Sequence, residues 1–150
     1  MKVSTPLETA AGIDDRTFGD PGKILLLLRS AARKKTAVDE DRIDSYIFLL
    51  RASEVLHFNY SFRFQPLPYS PLLHDDLYKL AQAEYVSYSS PISITSQGRR
   101  WVDARLPSGV AERARVLDAI GTHLREFSSW SADQLLRSVY ARVGAPGAAM

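Results

Sequence analysis

The 150-residue chain has no cysteine, which excludes disulfides, zinc–thiolate and iron–sulfur centres and a cysteine nucleophile. Long apolar runs are missing as well. The longest, Ile24 to Leu28, is far short of the ~20 residues that a membrane span needs. Asp14, Asp15 and Arg16 interrupt any signal-peptide core, so a cytoplasmic protein without membrane contact is expected. There is no phosphate-cradling glycine loop, no Gly-x-Ser-x-Gly elbow and no kinase motif set. The three histidines, His57, His74 and His123, fall in no metal-ligand spacing. His74-Asp75-Asp76 are consecutive, and neighbours in a helix point roughly 100° apart, so they cannot converge alone; Asp75 and Asp76 are expected to complement a helix N-terminus. These absences lead to an expectation of no enzyme, no cofactor, no metal and no small-molecule substrate.

What is present is an ordinary globular composition, 45% hydrophobic and 24% charged, enough to build a core at this length. The net charge of +2 conceals an uneven distribution. Residues 1–20 carry two basic and four acidic groups, and residues 21–52 carry seven and four. The basic excess lies around Lys23, Arg29, Arg33, Lys34, Lys35, Arg42 and Arg51. Nucleic-acid binding is permitted by this balance but not demanded.

Periodicity divides the rest. The first 20 residues show no period and carry Pro6, Gly12 and Gly19; they read as a flexible arm. Residues 21–144 read as one domain, and 145–150 as a loose tail. Ile24, Leu25, Leu28, Ala31 and Ala32 predict a helix over 22–34, ended by Arg33-Lys34-Lys35. Thr36 and Asp39 offer a cap for a second helix over 38–52, with Ile43, Tyr46, Ile47 and Leu50 on one face. Leu56, Phe58, Tyr60, Phe62 and Phe64 alternate with polar residues, the period of a half-buried strand, which Pro66 and Pro68 should stop. Ser70-Pro71 then caps a helix over 71–83. Runs at 85–88 and 92–95 predict a β-hairpin. Helices are expected over 109–127 and from Ser131, which with Gln134 forms a capping box; Trp130 is placed to staple onto Leu135, and Gly144 suits the helix end.

Helix, helix, strand, helix, hairpin, helix, helix gives an α+β, mostly helical fold. Its order is that of a winged-helix core with a small antiparallel sheet and two additional C-terminal helices, the 71–83 helix standing in the recognition position. Phe58-Asn59-Tyr60-Ser61-Phe62, Pro68-Tyr69-Ser70-Pro71-Leu72 and Asp76-Leu77 resemble the strand and helix start of YwgA-like proteins and of the related antitoxin-associated Panacea (SocA-like) domains. Ile94-Thr95-Ser96-Gln97-Gly98-Arg99-Arg100 is similar to the wing exit of that group, and Leu135-Leu136-Arg137-Ser138-Val139-Tyr140 to its C-terminal helix. The likeness covers about residues 22–144 and departs at Leu67, where the family pattern favours glycine. It implies a non-enzymatic regulatory or antitoxin-type module.

Two functions are compatible with these features. The first is a protein-interaction module, binding a partner or a second copy through Tyr60, Tyr69, Leu72, Tyr78, Tyr85 and Tyr88, because tyrosine is a favoured interface anchor. The alternative is a DNA-binding regulator using Arg33, Lys34, Lys35, Lys79, Arg99 and Arg100. Asp75 and Asp76 on the recognition helix oppose the phosphate backbone and rank protein binding first. Dimerisation through the 109–127 helix suits either function.

Overall fold

A computed structural model describes residues 17–143; most of the expected arm, Gly144 and the tail lie outside that range. Among the described residues the fold is α+β and mostly helical, with two small antiparallel hairpins. Helix α1 (Asp20–Arg33) carries Pro21 in its first turn and buries an unbroken run from Gly22 to Leu28. A helix apolar on nearly every face belongs at the centre of a core, and α1 packs against three later helices and one arm of the second hairpin. The arm ends earlier than its punctuation suggests. Phe18 is buried, with its ring edge-on to Trp101 at 5.7 Å.

Helix α2 (Ile43–Ala52) begins five residues later than its periodicity predicts. The Thr36 hydroxyl bonds back to the Lys34 carbonyl instead of capping, and Val38 is drawn off to bridge Ile92. The strand expected over 56–64 shrinks to β1 (Arg63–Phe64), paired with β2 (Pro68–Tyr69). Arg63 faces Tyr69 and Phe64 faces Pro68, so β1 ends before Pro66, as expected, while Pro68 lies inside β2. A two-stranded ribbon is all edge, where a missing N–H is tolerated.

The alternation over 56–62 is nevertheless real: Leu56, Phe58, Tyr60 and Phe62 are buried, Asn59 and Ser61 exposed. With no ladder beside it, this extended segment gives its backbone groups to side chains of α1 and α2. The Lys23 ammonium donates to the His57 carbonyl. Arg51 Nη1 donates to the carbonyls of Tyr60 at 2.6 Å and Phe58 at 3.4 Å, and the Asp20 carboxylate accepts the Asn59 N–H. Burial lowers the pKa of Arg51, partly offset by Asp20. It also raises that of Asp20, against the pull of the Asn59 N–H.

Helix α3 (Pro71–Gln82) starts as expected, with the Ser70 hydroxyl accepting the Leu73 N–H. The hairpin of β3 (Val86–Ser87) and β4 (Ser93–Ile94) also matches, Val86 opposite Ile94. Beyond the hairpin the structure departs from expectation. Thr95 caps a further helix, α4 (Ser96–Asp103), by accepting the Gly98 N–H at 3.1 Å. A Cβ at Gly98 would strike the Tyr85 carbonyl and come within 2.7 Å of Ile94 Cγ1, so glycine permits α4 to lie against the hairpin. Helix α5 (Val110–Ser128) and helix α6 (Ala132–Arg142) close the fold, with the Ser131/Gln134 capping box formed. Trp130 tilts toward Phe127, ring centroids 5.2 Å apart.

Helices α1, α2 and α3 end alike. Lys35, Glu54 and Glu84 take positive φ of 52°, 57° and 66°, and the next N–H in each case bonds to a carbonyl five residues back. This is the Schellman geometry that usually employs glycine.

Candidate partner-binding site

Ser70 caps α3 with its side chain, while its own buried N–H is accepted by Asp44 Oδ2 on α2 at 2.8 Å. The other carboxylate oxygen of Asp44 meets His74 Nε2 at 2.6 Å, and His74 Nδ1 lies 2.9 Å from the Tyr88 hydroxyl. Tyr88 in turn donates to Glu40 at 2.7 Å. A phenol has one proton, and here it goes to Glu40, so His74 Nδ1 must donate to the phenol oxygen. Nε2 faces an acceptor-only carboxylate and must donate as well. With both nitrogens facing oxygen acceptors, the arrangement favours the protonated imidazole. Consistently, the bond to Asp44 raises the His74 pKa above its ordinary 6.5, against the opposing effect of burial. Burial first, then the Glu40 carboxylate, push the Tyr88 hydroxyl upward.

This chain of bonds fastens α2, α3, the β3–β4 hairpin and the 39–42 turn together. Tyr69 lies over it, its ring stacked on His74 at 4.9 Å. Tyr69 lines a cleft of about 720 Å³ together with Asp39, Glu40, Asp41 and Leu67. Among the described residues no group of three His, Cys, Asp or Glu is placed to hold a metal ion. No described helix is long and apolar enough to cross a membrane.

The six expected interface residues divide. Tyr69 (42% exposed), Leu72 (65%) and Tyr78 (56%) project outward from β2 and α3. Tyr60 is buried, its hydroxyl donating to Asp76; burial, then that bond, hold it far above the usual phenol range. Tyr85 and Tyr88 are half-buried against the core. Asp76 therefore serves Tyr60, and Asp75 pairs with Lys79 at 3.0 Å; neither carboxylate lies in the first turn of α3.

The expected DNA contacts lie on three elements: Arg33, Lys34 and Lys35 at the end of α1, Lys79 on α3, and Arg99 and Arg100 on α4. Arg99 and Arg100 sit exposed on α4, not on a wing exit. Arg33 and Lys34 share Asp118 on α5, at 2.8 and 3.2 Å, while Lys35 is exposed at the turn after α1. Sequence reasoning missed Asp44 as the centre of the site. The available signal was a carboxylate one residue after Ile43 on a face otherwise apolar, where burial requires a partner. Comparison with family models, with curated proteins and with solved structures finds no match to this chain.

Proposed function

We propose that the chain is a non-enzymatic regulatory module of antitoxin-like type that binds a protein partner through β2 and the exposed face of α3. The observation that carries this reading is the exposure of Tyr69 on β2 and of Leu72 and Tyr78 on α3, three large apolar side chains standing in solvent, with Tyr69 lining a cleft that also holds Asp39, Glu40 and Asp41. Apolar anchors bordered by charge are the usual composition of a binding patch. The complementary segment carries apolar side chains for Tyr69 and Leu72 and a Lys or Arg for the cleft.

A winged-helix scaffold is part of the proposal. Val38, between α1 and α2, bridges Ile92 at the start of the second hairpin arm, which supports a third strand position beside β3 and β4. In that frame α3 holds the recognition position, yet its exposed face pairs Lys79 with Asp75 and offers no surplus of cations to phosphate. Protein recognition suits it better.

A photo-crosslinking residue placed at Leu72, with a second at the still more exposed Val110 on α5 as control, tests the reading in the cells that make the protein. A discrete adduct from position 72, lost when Asp39, Glu40 and Asp41 become Asn, Gln and Asn, is expected. Equal labelling from both positions, or none from position 72, overturns it. An adduct between two copies identifies the partner as the chain itself.

A further inference from the structure

A second cleft, of about 850 Å³, opens between the end of α1, the turn after it, the start of α2 and the last turns of α5. We propose that it is a binding site for a phosphate-bearing anion, gripped by Lys35 and Arg125. Five cations line it, Arg33, Lys34, Lys35, Arg42 and Arg125, against the single carboxylate of Asp39.

Their roles differ. Asp118 takes Arg33 through Nε and Lys34 through Nζ, so both are already ion-paired. The charge pair is maintained from both sides: the bond to Asp118 raises the Arg33 pKa, and the bond to Arg33 lowers that of Asp118. Arg42 is anchored through Nη1 to the Trp130 carbonyl at 3.0 Å. Lys35 and Arg125 are exposed, and neither has an ion-pair partner among the described residues.

The fold builds this convergence. Asp118, Gly121 and Arg125 recur at helical spacing on one face of α5. At Gly121 a Cβ would meet the Ser30 carbonyl at 2.9 Å and Lys34 Cγ at 2.6 Å, so glycine lets α5 lie directly on α1. That contact brings Arg125 to the basic helix end. The left-handed conformation of Lys35 turns the chain sharply after Lys34, as the Schellman end of α1 requires.

Guanidinium forks match tetrahedral oxyanions in bidentate fashion, and the volume lies within the range of small-molecule sites. The ligand chemistry is therefore a phosphate oxyanion, carried either by a free oligophosphate or by a nucleic-acid backbone. This inference is independent of the partner surface on α3.

The test titrates the whole chain with sodium tripolyphosphate by calorimetry, and with a labelled duplex of ~20 base pairs by anisotropy, in about 50 mM salt. Lys35→Ala/Arg125→Ala is compared with wild type, and Arg99→Ala/Arg100→Ala serves as a control for cations outside the cleft. Circular dichroism and Tm establish that each variant is folded. Binding of at least one probe, weakened about tenfold or more by the Lys35/Arg125 variant and unchanged in the control, is expected. Tripolyphosphate alone points to a free phosphate ligand, and duplex alone to a nucleic-acid backbone. Failure of both probes to bind, or equal weakening in the two variants, overturns the proposal.

Discussion

Asp44→Ala removes the carboxylate on which the candidate site turns. That side chain is only 5% exposed and accepts two bonds, from the Ser70 N–H at 2.8 Å and from His74 Nε2 at 2.6 Å. A hydrogen bond to a charged group contributes about 1.5–3 kcal/mol net. Losing both, with a buried N–H and an imidazole left without an acceptor, is expected to cost about 3–5 kcal/mol, the range found when one side of a buried pair is removed. The loss must also depend on pH. Asp44 raises the folded-state pKa of His74 above 6.5, so the charged histidine contributes fully below its unfolded value and this contribution disappears as pH rises through the folded value. Above that point neutral His74 still donates Nε2–H to Asp44, and part of the bond survives. Urea unfolding followed by circular dichroism at about pH 6 and about pH 9 measures both effects. The difference between wild type and Asp44→Ala should be larger at the acid end. Asp44→Asn, which keeps an acceptor for Ser70, should recover stability at the alkaline end only. A loss under about 1 kcal/mol at both pH values, or a larger loss at alkaline pH, refutes the assignment.

Three further outcomes are expected. Arg51→Ala leaves the Phe58 and Tyr60 carbonyls without their donor and should cost about 3–5 kcal/mol in urea unfolding, with Arg51→Lys retaining part of the stability. Glu54→Gly and Glu84→Gly should each stabilise by about 0.5–1 kcal/mol, read as a rise in Tm, because both residues hold the left-handed conformation that disfavours a Cβ. Gly98→Ala should destabilise by about 1–3 kcal/mol in the same assay, since its methyl group meets the Tyr85 carbonyl and Ile94.

Residues with a strong local signal were legible in the sequence. Ser70-Pro71 and Ser131/Gln134 set two helix starts correctly because their caps are made by neighbouring atoms. The alternation over 56–62 named the right buried side chains but the wrong backbone partner. Period 2 reports which face is buried, and Lys23, Asp20 and Arg51 supplied the bonds that a neighbouring strand would have made. Helix α4 went unread because its apolar face is brief, Gly98 and Val102 with half-buried Trp101; the Thr95 cap three residues before Gly98 was its signal. The ends at Lys35, Glu54 and Glu84 carried no glycine to announce them. Within the site, residue type and neighbourhood did not separate exposed Tyr69, Leu72 and Tyr78 from buried Tyr60 and half-buried Tyr85 and Tyr88. The bonds joining Asp44, His74, Tyr88 and Glu40 span up to 48 positions, beyond any local pattern.

In the proposed interface Leu72 and Tyr78 anchor a protein partner. Once the adduct from position 72 has identified that partner, calorimetric titration of it into wild type and into Leu72→Asp/Tyr78→Asp tests the claim directly. Both side chains are exposed, so the variant should retain wild-type Tm while its affinity falls by about 100-fold or more, the scale of losing two anchor residues. Unchanged affinity in a folded variant would contradict the account.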